Sequence, residues 1–148
     1  MGNALSVDSA ERECEIRSVL RLGGVPGVGT RALWRILDRF GSGRRALAAR
    51  RGELDAIAGR ECSGALASAV LERRVRDAMD RCRTQAIEIL LWTDGAYPER
   101  LTQLVDPPPV LFARGKLEVL KRPAAPLPVA AEVRRRWRRR WRFGGSQW

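Results

Sequence analysis

The stretch "VPGVGTRALWRIL", Val25 to Leu37, limits the folds open to this chain more than any other: one proline and two glycines between two apolar patterns of helical period. Before it, Ile16, Val19 and Leu20 share a helical face, with Glu11, Glu13 and Glu15 near the expected helix start. After it, Leu33, Trp34, Leu37 and Phe40 form a second apolar stripe, and Thr30 is placed to cap that helix. Such a junction predicts two packed helices joined by a tight corner.

The glycines have several readings. As a Walker loop, Gly24 and Gly29 have the right separation, but Thr30 and Arg31 stand where a lysine and a hydroxyl residue belong. As a dinucleotide fingerprint, Gly27, Gly29 and Ala32 fit G-x-G-x-x-A, yet "EIRSVLRL" before them has a helical period where a strand is required. With helices on both sides, the turn resembles a helix-hairpin-helix element, a unit that binds DNA without reading its sequence. Gly27, Val28 and Gly29 would offer backbone N–H groups to a phosphate at the positive end of a helix, with Thr30 and Arg31 in support. The alternative is that the glycines only let two helices pack closely. "LDAIAGRECSGALASAV" reads as a degenerate second copy, and Arg44 and Arg45 as further phosphate contacts or a solvated helix start.

The rest of the first half continues the helical pattern. "RRALAARRGELDAIAG" gives one or two short helices broken at Gly52 and Gly59. From Ser63 a long helix is expected, with Leu71, Val75, Ala78, Met79 and Cys82 on one side and the pairs Glu72–Arg76 and Asp77–Arg81 on the other. Residues 11–84 are thus expected to form a helical domain of helix-hairpin-helix or sterile-alpha-motif type, after a small, polar, disordered N-terminus at 1–10.

At "AIEILLWTDGAYP" the pattern changes to a buried strand ending in a turn, a short helix follows Pro98, and "VLFARG" after "DPPP" is a second strand. Over 85–123 this predicts the first β-α-β piece of an incomplete Rossmann-like domain, since two strands do not stand alone. The fold class expected is therefore mainly α, with that α/β piece and a disordered basic tail at 124–148.

Charge is concentrated in that tail. Of a net +11, residues 1–122 carry 21 basic and 16 acidic side chains, and residues 123–148 carry 7 and 1. Arginines among tryptophans bind polyanions, whether nucleic acid or a membrane surface. The same composition arises from a shifted reading of GC-rich codons, because arginine CGG and tryptophan TGG differ by one base; a frameshift after about residue 123 is the favoured expectation.

Several function classes are disfavoured. The 148 residues contain no histidine, the commonest general base, and Asp94, Glu99 and Asp106 fall where turn and capping residues are expected. No enzyme activity, metal or cofactor is therefore expected. Cys14, Cys62 and Cys82 form no Cys-x-x-Cys pair and read as buried reduced thiols. "MGNALSVDSAERE" lacks the basic and apolar parts of a secretory signal, so a cytoplasmic protein with no membrane partner is expected. "MGNALS" also fits the loose N-myristoylation pattern.

"LGGVPGVGTRALWRILDRFGS", then "ALAA", then "ILLWTDGAYPERLTQLVDPPPVLFARG" together resemble the N-terminal part of the DNA-processing protein A family (DprA or Smf). The hairpin is generic. The more specific part is the series Tyr97-Pro98, Leu101, Asp106-Pro107-Pro108, Val110-Leu111-Phe112 and Arg114-Gly115. The resemblance runs from about Ser18 to Pro123. It implies a bacterial, cytoplasmic, non-enzymatic protein that binds and protects single-stranded DNA and helps load RecA in natural transformation. The family's main DNA groove, dimer contact and RecA-facing surface belong to the region after the matching stretch, so RecA binding and self-association are not carried over. The other class of function kept open is a helical protein-interaction domain with no DNA binding of its own.

Overall fold

The computed structural model of the chain describes residues 4–59 and 61–121; the expected tail at 124–148 lies outside the described residues. Helix α1 (Ala4–Gly23) begins well before the Glu11 start that the apolar spacing gives. Ile16, Val19 and Leu22 are its buried residues, and Leu20 packs half-buried at the edge. Ser18, buried on the same helix, satisfies its hydroxyl by donating to the Cys14 carbonyl at 2.7 Å. α2 (Thr30–Phe40) buries Leu33, Ile36 and Leu37. It ends where Gly41, at φ 77°, takes the left-handed conformation and donates to the Leu37 carbonyl.

Three short helices follow: α3 (Gly43–Ala48), α4 (Arg51–Ala58) and α5 (Cys62–Leu66). The long helix α6 (Ala69–Thr84) then lines the core with Leu71, Val75, Met79 and Cys82. Ser63 does not open α6, as the sequence implied. The Ala67 N–H turns back to the Gly64 and Ala65 carbonyls, and the extended Ser68 starts a new helix. The expected pairs along α6 are also replaced. Glu72 reaches across to Arg21 of α1 at 3.0 Å, and Arg81 donates to the Asp77 backbone carbonyl, not to its carboxylate. Cys62 and Cys82 are buried free thiols, pushed above the ordinary thiol pKa by that burial, whereas Cys14 is exposed on α1.

The strands β1 (Ile87–Leu91) and β2 (Val110–Arg114) pair antiparallel, from Ile87 opposite Arg114 to Leu91 opposite Val110. The opening β-α-β unit of a parallel sheet is therefore not what residues 85–123 form. Such a crossover needs a helix long enough to cover the sheet. Here the connection holds only the one-turn helix α7 (Glu99–Thr102) and a run of prolines, and it brings the chain straight back. A 3-10 turn, Leu117–Lys121, ends the described part. Ile89, Leu91, Trp92 and Val110 join the same core as the helices, so ribbon and bundle share one apolar interior.

The proline run attaches the ribbon. Prolines have no N–H but keep their carbonyls, and three in a row each accept a hydrogen bond. Pro107 accepts from the Trp34 indole at 2.6 Å, Pro108 from the Tyr97 hydroxyl at 2.7 Å, and Pro109 from the Trp92 backbone at 3.1 Å. Trp34 and Trp92 meet edge to face, 5.3 Å between centroids. On the far side of β1, Arg12 of α1 grips both carboxylate oxygens of Asp94 and donates to the Ile89 carbonyl. Asp94 in turn accepts from the Leu91 N–H.

Close approach of α1 and α3 requires a glycine. A Cβ at Gly43 would lie 2.8 Å from Val19 Cγ2 and 3.0 Å from the Val19 backbone nitrogen, while one at Gly52 would meet nothing within 4 Å. Gly43→Ala is expected to destabilise the fold by about 1–3 kcal/mol. Gly52→Ala, in the exposed face of α4, is expected to stabilise it by about 0.5–1 kcal/mol. Urea midpoints at unchanged slope measure both.

Candidate nucleic-acid interface

The corner between α1 and α2 is held by its ends and open at its crest. Val25 and Val28 are buried, and the Val28 N–H donates to the Val25 carbonyl at 3.1 Å. Between them Pro26 and Gly27 are exposed, with Gly27 at φ 86° in the third position of the turn, where a type II turn needs a positive φ. Gly29 is extended and precedes the first residue of α2, with no side-chain cap. Neither Gly27 nor Gly29 has any atom within 4 Å of where a Cβ would stand.

The five residues expected to form the site are therefore brought to one place but not to one role. Gly27, Gly29 and Thr30 lie exposed on the crest. Val28 is not an open donor, because its N–H closes the turn and its side chain anchors it in the core. Thr30 is the first residue of the helix; Gly29 holds the capping position expected for Thr30, since its carbonyl takes the Leu33 N–H at 2.9 Å. Arg31 is exposed and its Nε donates to both oxygens of Asp106, at 3.0 and 3.1 Å, which raises the guanidinium pKa above its ordinary value. Among the described residues the N–H groups of Gly27, Gly29, Thr30 and Arg31 have no partner; the last three are those that the start of a helix leaves unpaired.

The other two helices that start at a glycine break are closed. At α3, Glu15 of α1 accepts from the N–H groups of both Gly43 and Arg44. At α5, the start of the supposed second hairpin, Asp55 accepts from the Ser63 N–H at 2.9 Å and its hydroxyl at 2.7 Å. These two bonds hold the Asp55 carboxyl below the ordinary aspartate pKa. An anion already sits at each of these helix starts, and it belongs to the chain.

Arg44 and Arg45 do not join the glycine turn. Their side chains line a cleft of about 820 Å³ whose walls also carry Asp8, Glu11, Arg12 and Asp94, a mixed set that does not favour anions. Arg35 and Arg39, by contrast, continue from Arg31 at four-residue steps along α2, all exposed and, for Arg35 and Arg39, with no carboxylate partner among the described residues. Their i, i+4, i+8 spacing was the available sequence signal. Among the described residues no group of three or more His, Cys, Asp or Glu is placed to hold a metal, and no helix is long and apolar enough to cross a membrane.

No family model matches this sequence, and the curated proteins and solved structures compared with it give no match.

Because the folded-state pKa of Asp55 lies below its unfolded value, its contribution is present above the ordinary aspartate range and is lost as the pH falls through the depressed value. Asp55→Ala is expected to lower the urea midpoint at neutral pH, with the gap from the wild type narrowing below about pH 3.9. Unfolding curves across acid pH measure it.

Proposed function

We propose that the chain binds the phosphate backbone of DNA, without regard to base sequence, at the exposed start of α2. The observation that supports this most is the contrast among the three helix starts that follow glycine breaks: Glu15 and Asp55 fill two of them, and among the described residues the one at Gly29–Thr30 is open. Backbone N–H groups at a helix N-terminus favour an anion, and Arg31, Arg35 and Arg39 extend the positive surface for one helix length beyond it. Contacts of this kind reach phosphate oxygens and carry no base information.

The preference for single strands, the cytoplasmic setting and the role in natural transformation ahead of RecA loading rest on the resemblance to DNA-processing protein A. In this reading the chain is a binding module and not an enzyme. A second reading, a protein-interaction domain, is supported by exposed apolar side chains at Leu104, Val105, Phe112 and Val119, of which Val105 is 92% accessible.

Because the arginines of residues 134–142 would dominate bulk binding, the test has to be residue-resolved. When the ¹⁵N-labelled full chain is titrated with a short oligo-dT at low salt, the Gly27, Gly29 and Thr30 amide signals are expected to shift together. In Arg35→Ala the affinity read from those signals falls, and its dependence on log salt becomes shallower by about 0.7, one single-strand phosphate contact. Binding that leaves these three signals in place would contradict the assignment and favour the protein-interaction reading.

A further inference from the structure

We propose that Asp106 is an internal competitor for this anion site, so that a nucleic-acid phosphate and the chain's own proline-rich segment take Arg31 in turn. The inference rests on the DNA-binding reading above and adds a means by which binding is controlled.

Asp106 reaches Arg31 across 75 residues of sequence and engages it through both carboxylate oxygens. The pair is open to solvent, with side-chain accessibilities of 78% for Arg31 and 42% for Asp106. An incoming anion therefore meets the guanidinium without moving any buried group. Elsewhere this fold already brings its own carboxylates to helix starts, through Glu15 and Asp55, and there they bond the backbone N–H groups directly. Asp106 differs in that it holds only the side chain of Arg31 and leaves the amides of Gly29 and Thr30 open. The site is thus partly neutralised and not blocked.

Displacement is feasible because exposed ion pairs are weak, and a phosphate that also gains the open amides is the stronger partner. Its consequence runs along the chain. Asp106 precedes Pro107, whose carbonyl holds the Trp34 indole on the same helix as Arg31. Releasing the carboxylate leaves the Trp34–Pro107 bond as the other hydrogen-bonded contact, among the described residues, between residues 106–107 and α2. By linkage, whatever strengthens docking of residues 106–107 weakens phosphate binding, and bound phosphate loosens the segment.

The test compares the full-length wild type with Asp106→Asn and Asp106→Glu, each titrated with oligo-dT and followed at the Gly29 amide and the Trp34 indole N–H. Asp106→Asn is expected to bind about 2–5-fold more tightly, the range an exposed ion pair commands, with Asp106→Glu close to the wild type. The wild-type Trp34 signal is expected to move as the strand is added. Equal or weaker binding by Asp106→Asn, with its Trp34 signal intact, would overturn the competition while leaving the site itself standing. A Gly29 signal silent in all three proteins would instead remove the DNA-binding reading and this inference with it.

Discussion

Three consecutive proline carbonyls clip the two-stranded ribbon to the helices. A two-stranded ribbon has too little apolar surface to persist by itself. It survives here because residues 107–109 present acceptors to Trp34, Tyr97 and Trp92 at the point where β2 begins. Each such bond contributes about 0.5–1.5 kcal/mol net, and the edge-to-face tryptophan pair about as much again. The larger gain is geometric: the clip presses Leu91 and Val110 into the interior that the helices build from Val19, Leu22, Ile36 and Leu37. The Tyr97 to Gly115 series, which carries the family resemblance, thus has a structural reason for its residues independent of any ligand.

The same clip sets the chemistry at the other end of the segment. With Pro107 fixed on Trp34, Asp106 falls beside Arg31, one residue into α2. Three helices begin just after glycine breaks, with Gly29, Ser42 and Glu61 at their capping positions, and their starts differ in what lies opposite. α1 passes α3 closely enough, at Gly43, for Glu15 to reach its amides. Asp55 on α4 folds over Gly59 onto Ser63. The corner at Gly27–Gly29 stands at the surface with its valines turned inward, and among the described residues no carboxylate reaches its amides.

Local signals made much of this legible. The apolar stripes located α2 and the body of α6, Gly41 and Gly59 fell at helix ends, and the strand at 110–114 was recognisable from its composition because proline and glycine bound it. The break expected at Gly52 fell instead at Ala49–Arg50, and Gly52 lies inside α4. Pro26-Gly27 even specifies its turn type. What the sequence did not show is everything decided between distant segments. The antiparallel pairing depends on how residues 92–109 double back, which no periodicity records. Val28 looked like a donor because its neighbours are glycines, but its N–H closes the turn onto the Val25 carbonyl and its side chain is buried. Glu15 reads as an acid near its own helix start and Asp106 as a turn or capping residue, and only the fold sets them, with Asp55, beside their partners.

DNA binding at this corner requires amides at the start of α2 that are open to an anion. A high-resolution crystal structure grown with selenate, whose anomalous signal marks the ion, tests it directly. Selenate is expected within hydrogen-bond distance of the Gly29 and Thr30 nitrogens, and none at the starts of α3 or α5. Selenate found only at arginine side chains, or a protein carboxylate bonded to those two nitrogens, would contradict it.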